Sequence, residues 1–175
     1  AIVANCHKVP QKEFSKEILS VETIEKSIQN SLDLIQKINP NANFIFTVSP
    51  VRHLKDGFVE NQLSKAHLIT AIHKILESAI YFPSYEIMMD ELRDYRFYAG
   101  DMIHPNSVAI DYIWQRFSET AITVESQMIM KEVETIQKGL QHRPFNPNSE
   151  SHQLFLSKLQ DKIEKLQKQF PQIQF

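Results

Sequence analysis

Apolar positions along this chain alternate between helical spacing and short unbroken runs, and that alternation outlines its elements. Ile24, Ile28, Leu32, Ile35 and Ile38 stand three or four residues apart and form one stripe of an amphipathic helix. Ser20 fits the N-cap, Glu22 suits the positive end of the helix dipole, and Asn39-Pro40-Asn41 ends the helix. Phe44-Ile45-Phe46-Thr47-Val48 then masses β-branched and aromatic residues, as a buried strand does. A second helical stripe follows Gly57 and runs through Leu63, Ala66, Ile69, Ile72, Leu76 and Ile80. Tyr81 to Met89 is a candidate third strand, with Pro83 near its start. After a loop around Asp101, a further helix is expected to turn Ile110, Ile113, Trp114 and Phe117 inward.

The chain opens on Ala1-Ile2-Val3-Ala4, which reads as the end of another buried strand. Strand, helix, strand at these spacings predicts right-handed βαβ units and a parallel sheet. Open parallel sheets bind ligands beyond the carboxyl ends of their strands. Asn5, His53 and the Asp101–His104 loop are therefore expected at one edge.

Past about Thr120 the pattern changes. Ile122, Ile129, Val133, Ile136 and Leu140 step by threes and fours, with Ser126 filling one register position, and the same stepping returns in Leu156, Leu159, Ile163, Leu166 and Phe170. His142-Arg143-Pro144-Phe145-Asn146-Pro147-Asn148 between them cannot continue a helix. The expected organisation is an α/β domain over residues 1–120 and an α-helical hairpin over 121–175.

Composition narrows the class. Of 175 residues, 42% are apolar and 23% charged, which suits an ordered globular chain, and three glycines against eight prolines favour helices over glycine-rich turns. A net charge of -2 argues against a nucleic-acid partner. No apolar run is long enough for a membrane span, and the start does not resemble a signal peptide, so a cytoplasmic address is expected. Cys6 is the one cysteine, so no disulfide forms within the chain. Beginning in mid-strand without Met, the chain reads as a fragment.

The chemistry concentrates in Asp101-Met102-Ile103-His104-Pro105-Asn106. A carboxylate three residues before an imidazole can hold one ring nitrogen, set the tautomer and stabilise the imidazolium, leaving the other nitrogen to act as general base. The same spacing also suits a loop in which Asp101 only closes a turn while Pro105-Asn106 starts the next helix. Asn5, just past a strand end, can donate to a developing oxyanion or close an Asx-turn. Cys6 reads as a small buried hydrophobe, and His7 with Lys8 as a solvated or ligand-facing rim. Arg52 and His53 are cleft candidates for binding substrate, with a surface ion pair as the alternative for Arg52. Ser49 lacks the small neighbours of a nucleophile turn, and Ser107 suits a helix start. His7, His53, Asp101 and His104 could form a metal shell only from separate elements, and His67 and His73 are six apart, so neither a metal nor a cofactor is expected.

Four segments in order carry a resemblance: Val3-Ala4-Asn5-Cys6-His7-Lys8-Val9-Pro10, Thr47-Val48-Ser49-Pro50-Val51-Arg52-His53, Tyr81-Phe82-Pro83-Ser84-Tyr85-Glu86 and Asp101-Met102-Ile103-His104-Pro105. Together they resemble the GSCFA-domain proteins of bacteria, a family related to the SGNH (GDSL-type) hydrolases. The likeness extends to His142-Arg143-Pro144-Phe145-Asn146. It implies a three-layer α/β/α flavodoxin-like parallel sheet, N-terminally incomplete here, with a C-terminal helical hairpin. It also implies that Asp101 and His104 are the acid and base of a Ser-His-Asp triad and that Asn5 binds the oxyanion. The Gly-Ser-Cys-Phe-Ala block with the presumed nucleophile would precede residue 1, and Val3 stands where SGNH hydrolases carry a glycine.

The leading expectation is an ester or acyl hydrolase acting on a small-molecule or carbohydrate ester, with this chain alone inactive. A carbohydrate- or polymer-binding module on the same scaffold is the alternative, and a helical-hairpin interaction protein is a third. Strands left without neighbours would expose backbone and apolar surface, so association as a homo-oligomer is expected.

Overall fold

A computed structural model describes residues 8–175. The strand expected at Ala1-Ile2-Val3-Ala4 lies outside the described residues, as does Cys6. The chain divides into two compact units, the first ending at Gln115 and the second running Arg116–Phe175. It is mostly helical, with one small parallel sheet of α/β type among the described residues.

In the first unit, α1 (Val21–Ile38) starts where Ser20 Oγ accepts the Thr23 N–H at 3.2 Å and stops at Asn39. Leu32 is its buried residue, Ile24 and Ile28 are half-buried, and Ile35 and Ile38 are exposed. Strand β1 (Ile45–Phe46) lies parallel to β2 (Ile80–Tyr81), pairing Ile45 with Ile80 and Phe46 with Tyr81. The link between them is α2 (Phe58–Lys74) with a 3-10 turn at each side, Leu54–Asp56 and Leu76–Ser78. Gly57, at φ +92°, sets the entry to α2 in a backbone region that L side chains rarely adopt. Val48, Ile72 and Tyr85 form the buried centre, with Phe46, Leu68, Ile69 and Tyr81 packed around it.

The structure corrects three local expectations. Tyr81 to Met89 is not a strand: β2 ends at Tyr81, then comes a single α-helical turn, α3 (Ser84–Glu86), and a π-helical turn, Ile87–Glu91. Pro83 has no N–H for a ladder, and the Tyr81 hydroxyl donates to both Glu86 oxygens at 2.8 and 2.9 Å, which favours the helical turn. Second, the α2 helix stops at Lys74, so Leu76 lies in the following 3-10 turn and Ile80 in the sheet. The buried face of α2 also differs early on. Leu63 and Ala66 are exposed, whereas Lys65, Leu68, Ile69 and Ile72 face inward at helical spacing. Third, α4 (Ser107–Ala121) buries Ala109, with Tyr112 and Ile113 packed beside it, and leaves Ile110 and Trp114 about half exposed.

In the second unit, α5 (Val124–Gln141) and α6 (Glu150–Gln169) each begin on a hydroxyl cap, Thr123 and Ser149. Gly139 lies against Leu159, and the His142 ring is 6.4 Å from that of His152, so the two helices run in opposite directions. Ile136, Leu159, Ile163 and Leu166 form their core, flanked by Ile129, Val133 and Phe170. Leu140 and Leu156 fall outside it and are exposed. Among the described residues, no helix is long and apolar enough to cross a membrane.

One buried hydroxyl ties the end of β1 to α3. Ser84 Oγ donates to the Val48 carbonyl at 2.8 Å, so its 2.5 Å contact with Thr47 Oγ1 is a hydrogen bond from the threonine. Ser84→Ala leaves the Val48 carbonyl without that donor. It should lower unfolding stability by about 1–3 kcal/mol, read from the urea midpoint at unchanged m-value.

Candidate active site

The loop that carries Asp101 and His104 is built as a short hairpin. Tyr98 and Pro105 form an isolated antiparallel bridge, the Asn106 N–H donates to the Phe97 carbonyl at 2.9 Å, and the Ala99 N–H donates to the His104 carbonyl at 2.7 Å. Its two ends are anchored in one apolar cluster. Tyr98 enters from one side and Ala109 of α4 from the other, against Met88 and Leu92. Asn106 caps α4, its Oδ1 accepting the Ala109 N–H at 3.1 Å while its Nδ2 donates to the Arg96 carbonyl. At the tip, Met102 takes φ +60°, a left-handed conformation uncommon outside glycine.

Asp101 holds this tip with both oxygens. Its Oδ1 accepts the N–H groups of Ile103 and His104 at 2.9 and 3.0 Å, and its Oδ2 lies 2.7 Å from His104 Nδ1. The turn-closing and imidazole-holding readings of the spacing are both realised, by different oxygens of one carboxylate. Three donors converge on it. The His104 backbone N–H first, then the imidazole and the Ile103 N–H, push the Asp101 pKa down to about 2. An ionised carboxylate can only accept, so Nδ1 carries the hydrogen and Nε2 keeps its lone pair. Among the described residues, Nε2 has no hydrogen-bond partner, and the Asp101 and His104 side chains are 47% and 59% exposed.

The Ser49–His53 segment reaches this loop. The Arg52 N–H donates to the Ile103 carbonyl at 3.2 Å and its Nη1 to the Met102 carbonyl at 3.4 Å. The guanidinium lies over the Tyr98 ring, 4.1 Å from its centre, and over the Tyr95 ring at 5.4 Å, so it is held by two aromatic faces. Among the described residues Arg52 makes no ion pair with a carboxylate. His53 is exposed, and its backbone N–H donates to Asn61 Oδ1 at 2.8 Å. Ser49 Oγ accepts the Val51 N–H, which makes it a turn residue, and Ser107 is the first residue of α4. Asn5 and His7 lie outside the described residues.

Beside this segment is a cleft of roughly 270 Å³, lined among others by Arg52, Asn61, Gln62, Lys65, Tyr85 and Tyr95. Asp101 and His104 do not line it; Arg52 belongs to both places. Lys65 and Gln62 were not singled out from the sequence, and Tyr85 stood there only as part of the Tyr81–Glu86 segment. For Lys65 a signal existed, since it shares a helical face with Leu68, Ile69 and Ile72. His67 and His73 each donate from Nδ1 to a carbonyl, of Leu19 and Ile69, and among the described residues no three His, Cys, Asp or Glu side chains converge as a metal shell.

Comparison with known proteins adds a family. A family model described as the GSCFA family matches residues 1–117, and one described as GSCFA domain protein, C-terminal domain, matches residues 133–175. No curated protein and no solved structure matches.

The Asp101 carboxyl carbon should therefore titrate by 13C NMR with a midpoint near 2, below the ordinary aspartate value. Because the folded pKa is depressed, this carboxylate stabilises the native loop above its unfolded pKa, and that contribution fades as pH falls toward the folded one. A midpoint at the ordinary value would mean that the three donors do not converge in solution.

Proposed function

The chain belongs to the GSCFA family, and from that premise we propose that it supplies the base and acid of a serine ester or acyl hydrolase of SGNH type. The observation that carries this reading is the 2.7 Å contact of Asp101 Oδ2 with His104 Nδ1, made by a carboxylate already locked by two backbone N–H groups. In the proposed reaction a serine upstream of Ala1 attacks the ester carbonyl. His104 Nε2 takes the hydroxyl proton, and Asp101 stabilises the imidazolium. Asn5 donates to the tetrahedral oxyanion. Collapse breaks the ester C–O bond, and His104 returns its proton to the departing alcohol. Water activated by the same nitrogen then releases the acid. Arg52, His53 and His7 are proposed to contact substrate.

The parallel register of β1 and β2 around α2 supports placing this chemistry on a three-layer α/β/α sheet of flavodoxin-like kind. We further propose a small-molecule or carbohydrate ester as substrate. One feature favours the non-catalytic alternative, a carbohydrate-binding module. Phe58 and Tyr95 are largely exposed at the rim of a cleft that also carries two amides, the pairing of flat apolar faces and polar groups that suits a sugar ring.

Hydrolysis of short p-nitrophenyl esters by the protein extended upstream of Ala1 separates the two. The hydrolase reading expects turnover that His104→Ala reduces by roughly 10³-fold or more, and no turnover from residues 1–175 alone. Absence of turnover in the extended protein, or an unaffected His104→Ala variant, would leave the binding module. Activity from residues 1–175 alone would place the nucleophile within this chain.

A further inference from the structure

Lys65 is the most buried charged side chain among the described residues, at 3% exposure, and it lines the cleft beside Arg52. Its ammonium donates to the Ser49 carbonyl at 2.5 Å and stands 5.8 Å from the centre of the Tyr85 ring. Among the described residues no carboxylate pairs with it and none lines the cleft. Burial lowers its pKa from the ordinary lysine value, the sign of a cation short of compensation.

The neighbouring amides have the same polarity. Asn61 Oδ1 is taken by the His53 N–H, and Gln62 Oε1 by the Tyr85 hydroxyl at 2.7 Å. Each amide therefore has its NH₂ group left to donate. The carbonyls of Ser49 and Met102 are likewise occupied, by Lys65 and Arg52. Among the described residues, two cations and two amide NH₂ donors thus line the cleft, and no carboxylate does. Such a lining matches a ligand group that only accepts and carries negative charge.

We propose that this cleft is an anion-binding subsite in which Lys65, with Arg52, Asn61 and Gln62, seats the carboxylate of an acidic ester substrate. That the bearer is a substrate rests on the hydrolase proposal; that the cleft takes an anion does not. The volume, at the small end for ligand pockets, suits one acidic head group rather than a whole large ligand. Arg52 then has two tasks: its guanidinium faces the anion, and its backbone and Nη1 brace the loop that carries His104.

The test is equilibrium binding to residues 1–175, with no turnover in the readout. Monomethyl succinate, the neutral dimethyl succinate and inorganic phosphate are titrated while the Lys65 side-chain methylene resonances are followed by NMR. Saturable binding of the monoester with shifted Lys65 signals, none of the diester, and a loss of roughly ten-fold or more in Lys65→Met is the expected result. Arg52→Gln should weaken the same binding, which guards against a Lys65 variant that repacks the cleft. Phosphate bound with the same dependence on Lys65 would keep the anion site and assign it to a free or esterified phosphate. No saturable binding of either anion, or binding indifferent to both substitutions, overturns the proposal. An extended protein that binds the monoester yet hydrolyses no ester would refute the hydrolase reading alone.

Discussion

A carboxylate has two oxygens, and at Asp101 each does a different task. Oδ1 gathers the N–H groups of Ile103 and His104 and so fixes the turn; Oδ2 takes the imidazole of the residue that the turn has just positioned. The backbone closure and the ring orientation are one constraint. Neither group is deeply buried, so the pair is screened by water, and its persistence comes from geometry more than from a low dielectric. Three donors on one carboxylate keep it ionised well below the ordinary aspartate range, so it can only accept, and in the neutral ring the hydrogen sits on Nδ1.

That constraint is transmitted to the rest of the first unit through a few contacts. Tyr98 and Ala109 clamp the two ends of the loop into the cluster around Met88, and Asn106 joins the loop to the start of α4. Met89 packs against both this cluster and the one beneath the sheet, so the loop is referenced to β1 and β2 through the π-helical turn. From the opposite side Arg52 braces the tip, held in place by aromatic faces rather than by a flexible ion pair. Cleft and loop thus share a residue, which is why a ligand seated against Lys65 would lie beside the imidazole's own support.

What was legible in the sequence was what depends on near neighbours. The Ser20 cap lies three residues from its partner, and so does Asp101 from His104; a spacing is enough to read each. The helices were legible from periodicity in the same way, and β1 from an unbroken run of β-branched and aromatic residues. Features that depend on distant partners were misread. The apolar run from Tyr81 has no period to tell strand from helix, and Ser84 within it is bonded to the Val48 carbonyl, which lies just past β1 and far earlier in the sequence. Lys65 sits on the face of α2 that the Ser49–Arg52 segment covers, so its burial was set by a loop sixteen residues earlier in sequence. The donor character of the cleft was less legible still, because it follows from where the acceptors of Asn61 and Gln62 are spent.

The 15N spectrum of the His104 ring, recorded at a pH where the imidazole is neutral, tests the central constraint most directly. The account predicts a protonated Nδ1 and a bare Nε2, with that preference lost in Asp101→Ala. A neutral ring protonated at Nε2 in the wild-type protein would contradict it, because the nitrogen assigned to take the proton would already hold one.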